Sequence, residues 1–182
     1  IDFADEMLSM IRSVVVYAAN YNLTLMHKPG DEATYRCFNK FFMELESVGG
    51  KNYHLYDSFD KGLTEKLLST TKIVIWDQIG TGTLECFNAK IPAVIFWPRI
   101  YSKENIFSKS RIQKLESVGV VHRDVESLFR EIIKFNKDPS KWMGNAMRIS
   151  AISEFCYKYA RIDKDWVKQW RAFLIKLKDD AF

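Results

Sequence analysis

Cysteine is scarce: the 182 residues hold three, Cys37, Cys86 and Cys156. An odd number at wide spacing excludes a disulfide framework and a clustered-thiol metal site. Three ordinary thiols in a reducing cytoplasm is the plain reading. No apolar run approaches the roughly 20 residues a membrane span needs. There is also little excess charge. Lys and Arg number 27 against 23 Asp and Glu, a net +4. That suits a protein handling anionic ligands or lying near an anionic membrane, and is too slight to indicate nucleic acid. The opening Ile1-Asp2-Phe3-Ala4-Asp5-Glu6 is acidic where a secretory leader would be basic, and it lacks an initiator Met. We therefore expect a piece of a longer protein. No repeat, low-complexity stretch or linker interrupts the chain, so one domain over residues 1–182 is expected. No Walker A loop, dinucleotide fingerprint, nucleophile elbow, acid/base carboxylate pair or metal-ligand cluster is present.

What is there is a large apolar content, 47% of the chain with 13 Phe, 8 Tyr and 5 Trp, enough for a substantial core and against disorder. Met7, Leu8, Ile11, Val14, Val15, Ala18 and Ala19 share a face of an amphipathic helix over residues 5–20. Leu23 to His27 is a short strand stopped by Pro29-Gly30. Asp31 can cap a helix running to about Val48, where Gly49-Gly50 breaks it. Tyr53 to Tyr56 is a minor strand, and Asp60 opens a helix carrying Leu63, Leu67 and Leu68. Lys72 to Asp77 is the clearest strand; its continuous apolarity fits a parallel strand buried on both faces. A turn over Gln78 to Gly82 leads to a helix from Thr83 to Lys90 and a second buried strand, Ile91 to Trp97. Further helices are expected over Glu104 to Val118, from Asp124, from Asp138-Pro139 to about Tyr159, and over the end of the chain, with a very short strand at Val120-Val121. Trp166, Trp170, Phe173, Leu174 and Leu177 lie at helical spacing in the last helix, a stripe that reads as packing surface. Repeated helix–strand units of this kind imply an α/β fold: a Rossmann-like, doubly wound parallel sheet with helices on both faces and C-terminal helices closing it.

In open parallel sheets ligands bind beyond the carboxyl ends of the strands. Three such ends stand out. At Asp77-Gln78-Ile79-Gly80-Thr81-Gly82-Thr83 a strand enters a Gly/Thr loop that runs directly into a helix. Free backbone N–H groups, a helix dipole and two hydroxyls then meet at one spot, which suits a phosphate. The same residues can equally make a tight, threonine-capped turn. Glu85, just inside the helix, can bind ribose hydroxyls or simply complement the dipole. His27 and Lys28 end the first strand and can contact a phosphate or a base. Arg99, after the buried strand, is either an anion contact or a solvated loop arginine. His54 and His122 read as structural. Lys103, Lys109, Arg111 and Lys114 read as a solvated helix face.

The stretch Ile73 to Trp97, with its Asp77, Gly80-Thr81-Gly82-Thr83, Leu84-Glu85, Asn88-Ala89-Lys90-Ile91-Pro92 and Phe96-Trp97, resembles the donor-site segment of GT-B glycosyltransferases. Within them it is most similar to the surface-carbohydrate transferases of the leptospiral type, which are related to the Kdo and CDP-glycerol transferases. The ending Ala160 to Trp166, with Trp170 and Leu174, is also similar to theirs. The resemblance implies a C-terminal, nucleotide-sugar-binding half. Gly80, Thr81, Gly82 and Thr83 would hold the donor phosphate and Glu85 the ribose. His27 would match the family's His-Pro histidine, although here Lys28 separates it from Pro29. It further implies an N-terminal acceptor domain in the same protein, a glycan acceptor and no metal or other cofactor. The implied location is cytoplasmic, at the inner face of a bacterial inner membrane with peripheral association. Two alternatives stay open: a non-catalytic interaction domain of the same fold, and a nucleotide-sugar epimerase.

Overall fold

A computed structural model describes residues 3–56, 65–98, 106–161 and 164–180. The chain is α/β, mostly helical, with two small parallel sheets. Helix α1 spans Phe3–Asn20 and turns through Asn22, a non-glycine residue at φ 53, into strand β1, Leu25–His27. The stretch expected as one helix from Asp31 is two, α2 (Glu32–Cys37) and α3 (Asn39–Gly49). Asp31 caps α2 by accepting the Thr34 N–H, and the break falls at Phe38, which leaves helical geometry (φ −114, ψ 23) and packs toward the core of α3. Strand β2, Tyr53–Leu55, pairs in parallel with β1, Leu25 opposite Tyr53 and His27 opposite Leu55.

Helix α4, Glu65–Thr70, leads to the second sheet, ordered β3 (Val74–Trp76), β4 (Ala93–Phe96), β5 (Val121–His122), all parallel. Between them run α5 (Thr81–Asn88) and α6 (Ile106–Ser117). After β5 come α7 (Val125–Lys137), α8 (Pro139–Met143), α9 (Ala146–Tyr159) and α10 (Trp166–Asp180). The single helix expected from Pro139 to Tyr159 is split, because Gly144 ends α8 and the Asn145 side chain caps α9 through the Arg148 N–H. The parts of expected helices at residues 60–64 and 104–105 lie outside the described residues.

Side-chain alternation along β4 separates two cores. Ala93 and Ile95 join Cys86 and Phe87 of α5, Ile112 and Leu115 of α6, and Phe155 of α9. Val94 and Phe96 join Met10, Val14 and Ala18 of α1, Leu128, Phe129 and Ile132 of α7, and Trp142 of α8. Both faces of the three-stranded sheet are thus covered by helices, and all four residues of β4 are buried. The continuous apolarity of β3 suggested the same for it, but β3 is the edge of its sheet and is only half-buried. The opposite flank of α1, through Val15, meets Phe42, Leu45 and Tyr53 in a third core. Helix α1 thus packs against both sheets, and Leu25 of β1 reaches the second core directly; among the described residues the sheets share no ladder.

A buried ion pair fixes the α7–α9 corner. Glu131 and Arg148 are both buried and bond each other; Glu131 also accepts from Trp142 Nε1 at 2.8 Å. Arg148 donates to the Val118 and Trp142 carbonyls, and its guanidinium lies 3.9 Å from the Trp142 ring centroid. With these partners the charges are satisfied rather than stranded. Cys37, Cys86 and Cys156 are free thiols. No helix among the described residues is long and apolar enough to cross a membrane.

Candidate functional site at the strand ends

Parallel pairing brings the carboxyl ends of β3, β4 and β5 to one edge, in the order Asp77, Trp97, Arg123. The β3 end carries the Gly/Thr loop. Its fold follows from one hydroxyl: Thr83, fully buried, donates to the Gln78 carbonyl at 3.0 Å and accepts the Gly80 N–H at 3.4 Å. The loop is thereby cinched against the start of α5. The first intrahelical bond runs from Leu84 N–H to the Gly80 carbonyl. The N–H groups of Thr81, Gly82 and Thr83 in the first turn have no helical acceptor, the usual state of a helix start. Donors left over at a helix start favour an anion, and the α5 dipole adds to the effect.

The two glycines differ. A Cβ on Gly80 would meet nothing within 4 Å, so the space beside it is open. A Cβ on Gly82 would lie 2.3 Å from the Trp76 indole. Gly82 is therefore required for packing the indole under the loop, and Gly80 leaves room for a ligand. The Trp76 Nε1 is buried with no oxygen or nitrogen acceptor among the described residues. Thr81 and Glu85 are exposed on α5, and the Glu85 carboxylate makes no hydrogen bond or ion pair among the described residues. Asp77 is exposed, yet the atoms crowding it desolvate its carboxyl and raise its pKa.

His27 ends β1, in the two-stranded sheet, and no hydrogen bond or ring contact joins it to the Gly80–Thr83 loop. Its ring meets Phe42 and Tyr53 edge-on, with Nδ1 2.8 Å from the Tyr53 hydroxyl. Burial lowers its pKa to about 4, so it is neutral at pH 7. Lys28 is half-buried and forms no ion pair among the described residues. Arg99 lies outside the described residues. His122 is buried; its Nε2 lies 3.2 Å from the Gly119 carbonyl, which can only accept, so that nitrogen carries the proton. His54 is exposed.

Sequence reasoning missed Arg123. Its guanidinium sits at the end of β5, donates to the Trp97 carbonyl at 2.8 Å, pairs with Glu116 at 3.3 Å and lies over the Trp97 ring. It ties the ends of β4 and β5 together and places a cation at the same edge as the loop. The available signal was a basic residue directly after the short apolar strand Val120-Val121-His122. Two surface cavities of about 490 and 440 Å³ lie elsewhere, one against α9 and one beside β5, and neither is lined by Gly80–Glu85.

The parallel-stranded α/β fold places the Gly/Thr loop and a helix start at the carboxyl edge of the sheet, the edge at which open α/β sheets bind ligands. The family model described as LIC12162 family transferase matches residues 32–174. The chain belongs to that family, which is one of transferases. The match includes the loop, Glu85 and Arg123, and starts after His27 and Lys28. No curated protein and no solved structure matches the chain.

Proposed function

We propose that this chain is the C-terminal, donor-nucleotide-binding half of a GT-B-type glycosyltransferase acting in bacterial surface-polysaccharide synthesis. The fold would be of the doubly wound, Rossmann-like kind. The observation that carries the reading is the Gly80–Thr83 loop, with three first-turn N–H groups lacking helical acceptors and open space beside Gly80. Membership of a transferase family supports it.

In this reading the donor phosphate lies against the N–H groups of Thr81 and Gly82 and the Thr81 hydroxyl. Thr83, fully buried, supports the site from behind, because its hydroxyl cinches the loop that presents those groups. Glu85 accepts from the ribose hydroxyls. As the bond from sugar to phosphate breaks, negative charge grows on the departing nucleotide. Donors already aimed at that charge stabilise the transition state more than the ground state. Lys28, Arg99 and Arg123 add positive potential. The acceptor glycan and the catalytic base would come from an N-terminal domain of the same protein, at the cytoplasmic face of the inner membrane.

The test is calorimetric titration with CMP, CDP, UDP and GDP on the wild type and on Thr81→Ala/Glu85→Ala. Both side chains are exposed, so the fold should survive. Loss of two ligand hydrogen bonds, one of them to a charged group, should weaken the best nucleotide by about tenfold or more. Unchanged affinity in the double variant would remove the site from this loop.

A further inference from the structure

Helix α10 is unlike the other helices. Trp166, Trp170, Phe173 and Leu174 recur at i, i+4, i+7 and i+8, one face of a helix. The sequence pattern suggested a packed stripe, but each of the four is more than half exposed. None enters any of the three cores. Lys168, Arg171 and Lys176 are carried by the same helix. On the α-helical period Arg171 and Lys176 border the apolar stripe on its two sides, and Lys168 lies opposite. Before the final turns the helix holds no acidic residue; Asp179 and Asp180 come only at its end. Just ahead of α10, Arg161 and Lys164 are balanced by Asp163 and Asp165, so the basic excess belongs to the helix itself.

We infer that α10 docks on an anionic membrane surface, lying in the headgroup layer with its tryptophan face toward the acyl chains. The chemistry argues for this occupant. An apolar face without flanking charge would suit another protein's core. Two tryptophans with phenylalanine and leucine, bordered by cations, match what an interfacial helix requires: aromatic bodies at the headgroup level and ammonium and guanidinium groups reaching lipid phosphates. The electrostatic part is set by charge complementarity, and the apolar part by area removed from water. The helix is too short of apolar residues to cross a bilayer, so it lies on the surface rather than spanning it. The inference does not rest on the donor-site reading.

Vesicle co-sedimentation tests it, with phosphatidylcholine vesicles made with and without phosphatidylglycerol. Brominated lipid in the same vesicles reports whether tryptophans enter the bilayer. The chain should bind only the anionic vesicles, with tryptophan quenching, and release in high salt. Arg171→Glu, on the border of the stripe, should weaken partitioning by about fivefold or more, the equivalent of about 1 kcal/mol per cation. Trp170→Glu/Leu174→Glu should abolish it while circular dichroism and the melting temperature stay unchanged, since neither side chain touches a core. Failure of the wild type to bind anionic vesicles would overturn the inference. So would equal binding to neutral vesicles, or full binding by the Trp170→Glu/Leu174→Glu variant. A dimer that forms through α10 and excludes vesicles would assign the face to a second copy instead.

Discussion

Single residues at the loop separate a structural role from a ligand role. Gly80 and Gly82 stand two apart, and only Gly82 is packed, against the Trp76 indole. Gly82→Ala should destabilise the fold by about 1–3 kcal/mol, because an added methyl must displace a buried ring. Gly80 has extended geometry at φ −141 and open space, so Gly80→Ala should cost no more than about 1 kcal/mol, the difference between glycine and alanine as a helix cap. It should nevertheless reduce nucleotide affinity by crowding the anion. Chemical denaturation of both variants checks the contrast. His27 supplies a second test. Its pKa is lowered from 6.5 to about 4 by burial. The unfolded chain takes up a proton that the folded chain refuses. Stability is therefore full above pH 6.5, falls as the pH drops toward 4, and levels off below. The loss from this residue is on the order of 3 kcal/mol. Burial lowers His122 as well, adding a loss of the same sign. In His27→Phe, denaturant melts between pH 7 and pH 4 should show a clearly shallower slope.

At the level of elements, the α7–α9 corner depends on one buried charge pair. Arg148→Ala would leave Glu131 buried without its main counter-charge, and should cost about 3–5 kcal/mol. Glu131→Leu/Arg148→Met, which removes both charges, should cost much less than the sum of the single variants. Urea melts of the three variants measure this. The corner also shows what the sequence made legible. Helices with a strong apolar period, such as α1, or with a side-chain cap as well, such as α7 with Asp124, stand where the pattern puts them. The strand ends and the Gly/Thr loop were legible for the same reason: continuous apolarity stops at Asp77 and at Trp97. The break at Phe38 was not, because no glycine or proline marks it and an aromatic side chain seeking the core bends the chain there. The break at Gly144-Asn145 carried a visible stop-and-cap signal that helical periodicity on either side masked. Arg123 was missed because its importance comes from a neighbour in space, Trp97, which lies 26 residues away in sequence on another strand end.

On the scale of the molecule, α1 joins two parallel sheets. Its final turn meets the start of α7, where the Tyr17 hydroxyl donates to Glu126 at 2.6 Å and Tyr21 stacks on Phe129. Strand order within the second sheet brings Asp77, Trp97 and Arg123 to one edge. The functional reading depends on that edge receiving an anion at the loop. It is tested most directly by amide NMR of the labelled chain during titration with CMP, CDP, UDP and GDP. If the reading is right, one nucleotide produces saturable shifts that centre on the amides of Thr81, Gly82 and Thr83 and extend to Glu85. If no nucleotide shifts those amides, or saturable shifts centre elsewhere on the chain, the loop is not the donor site.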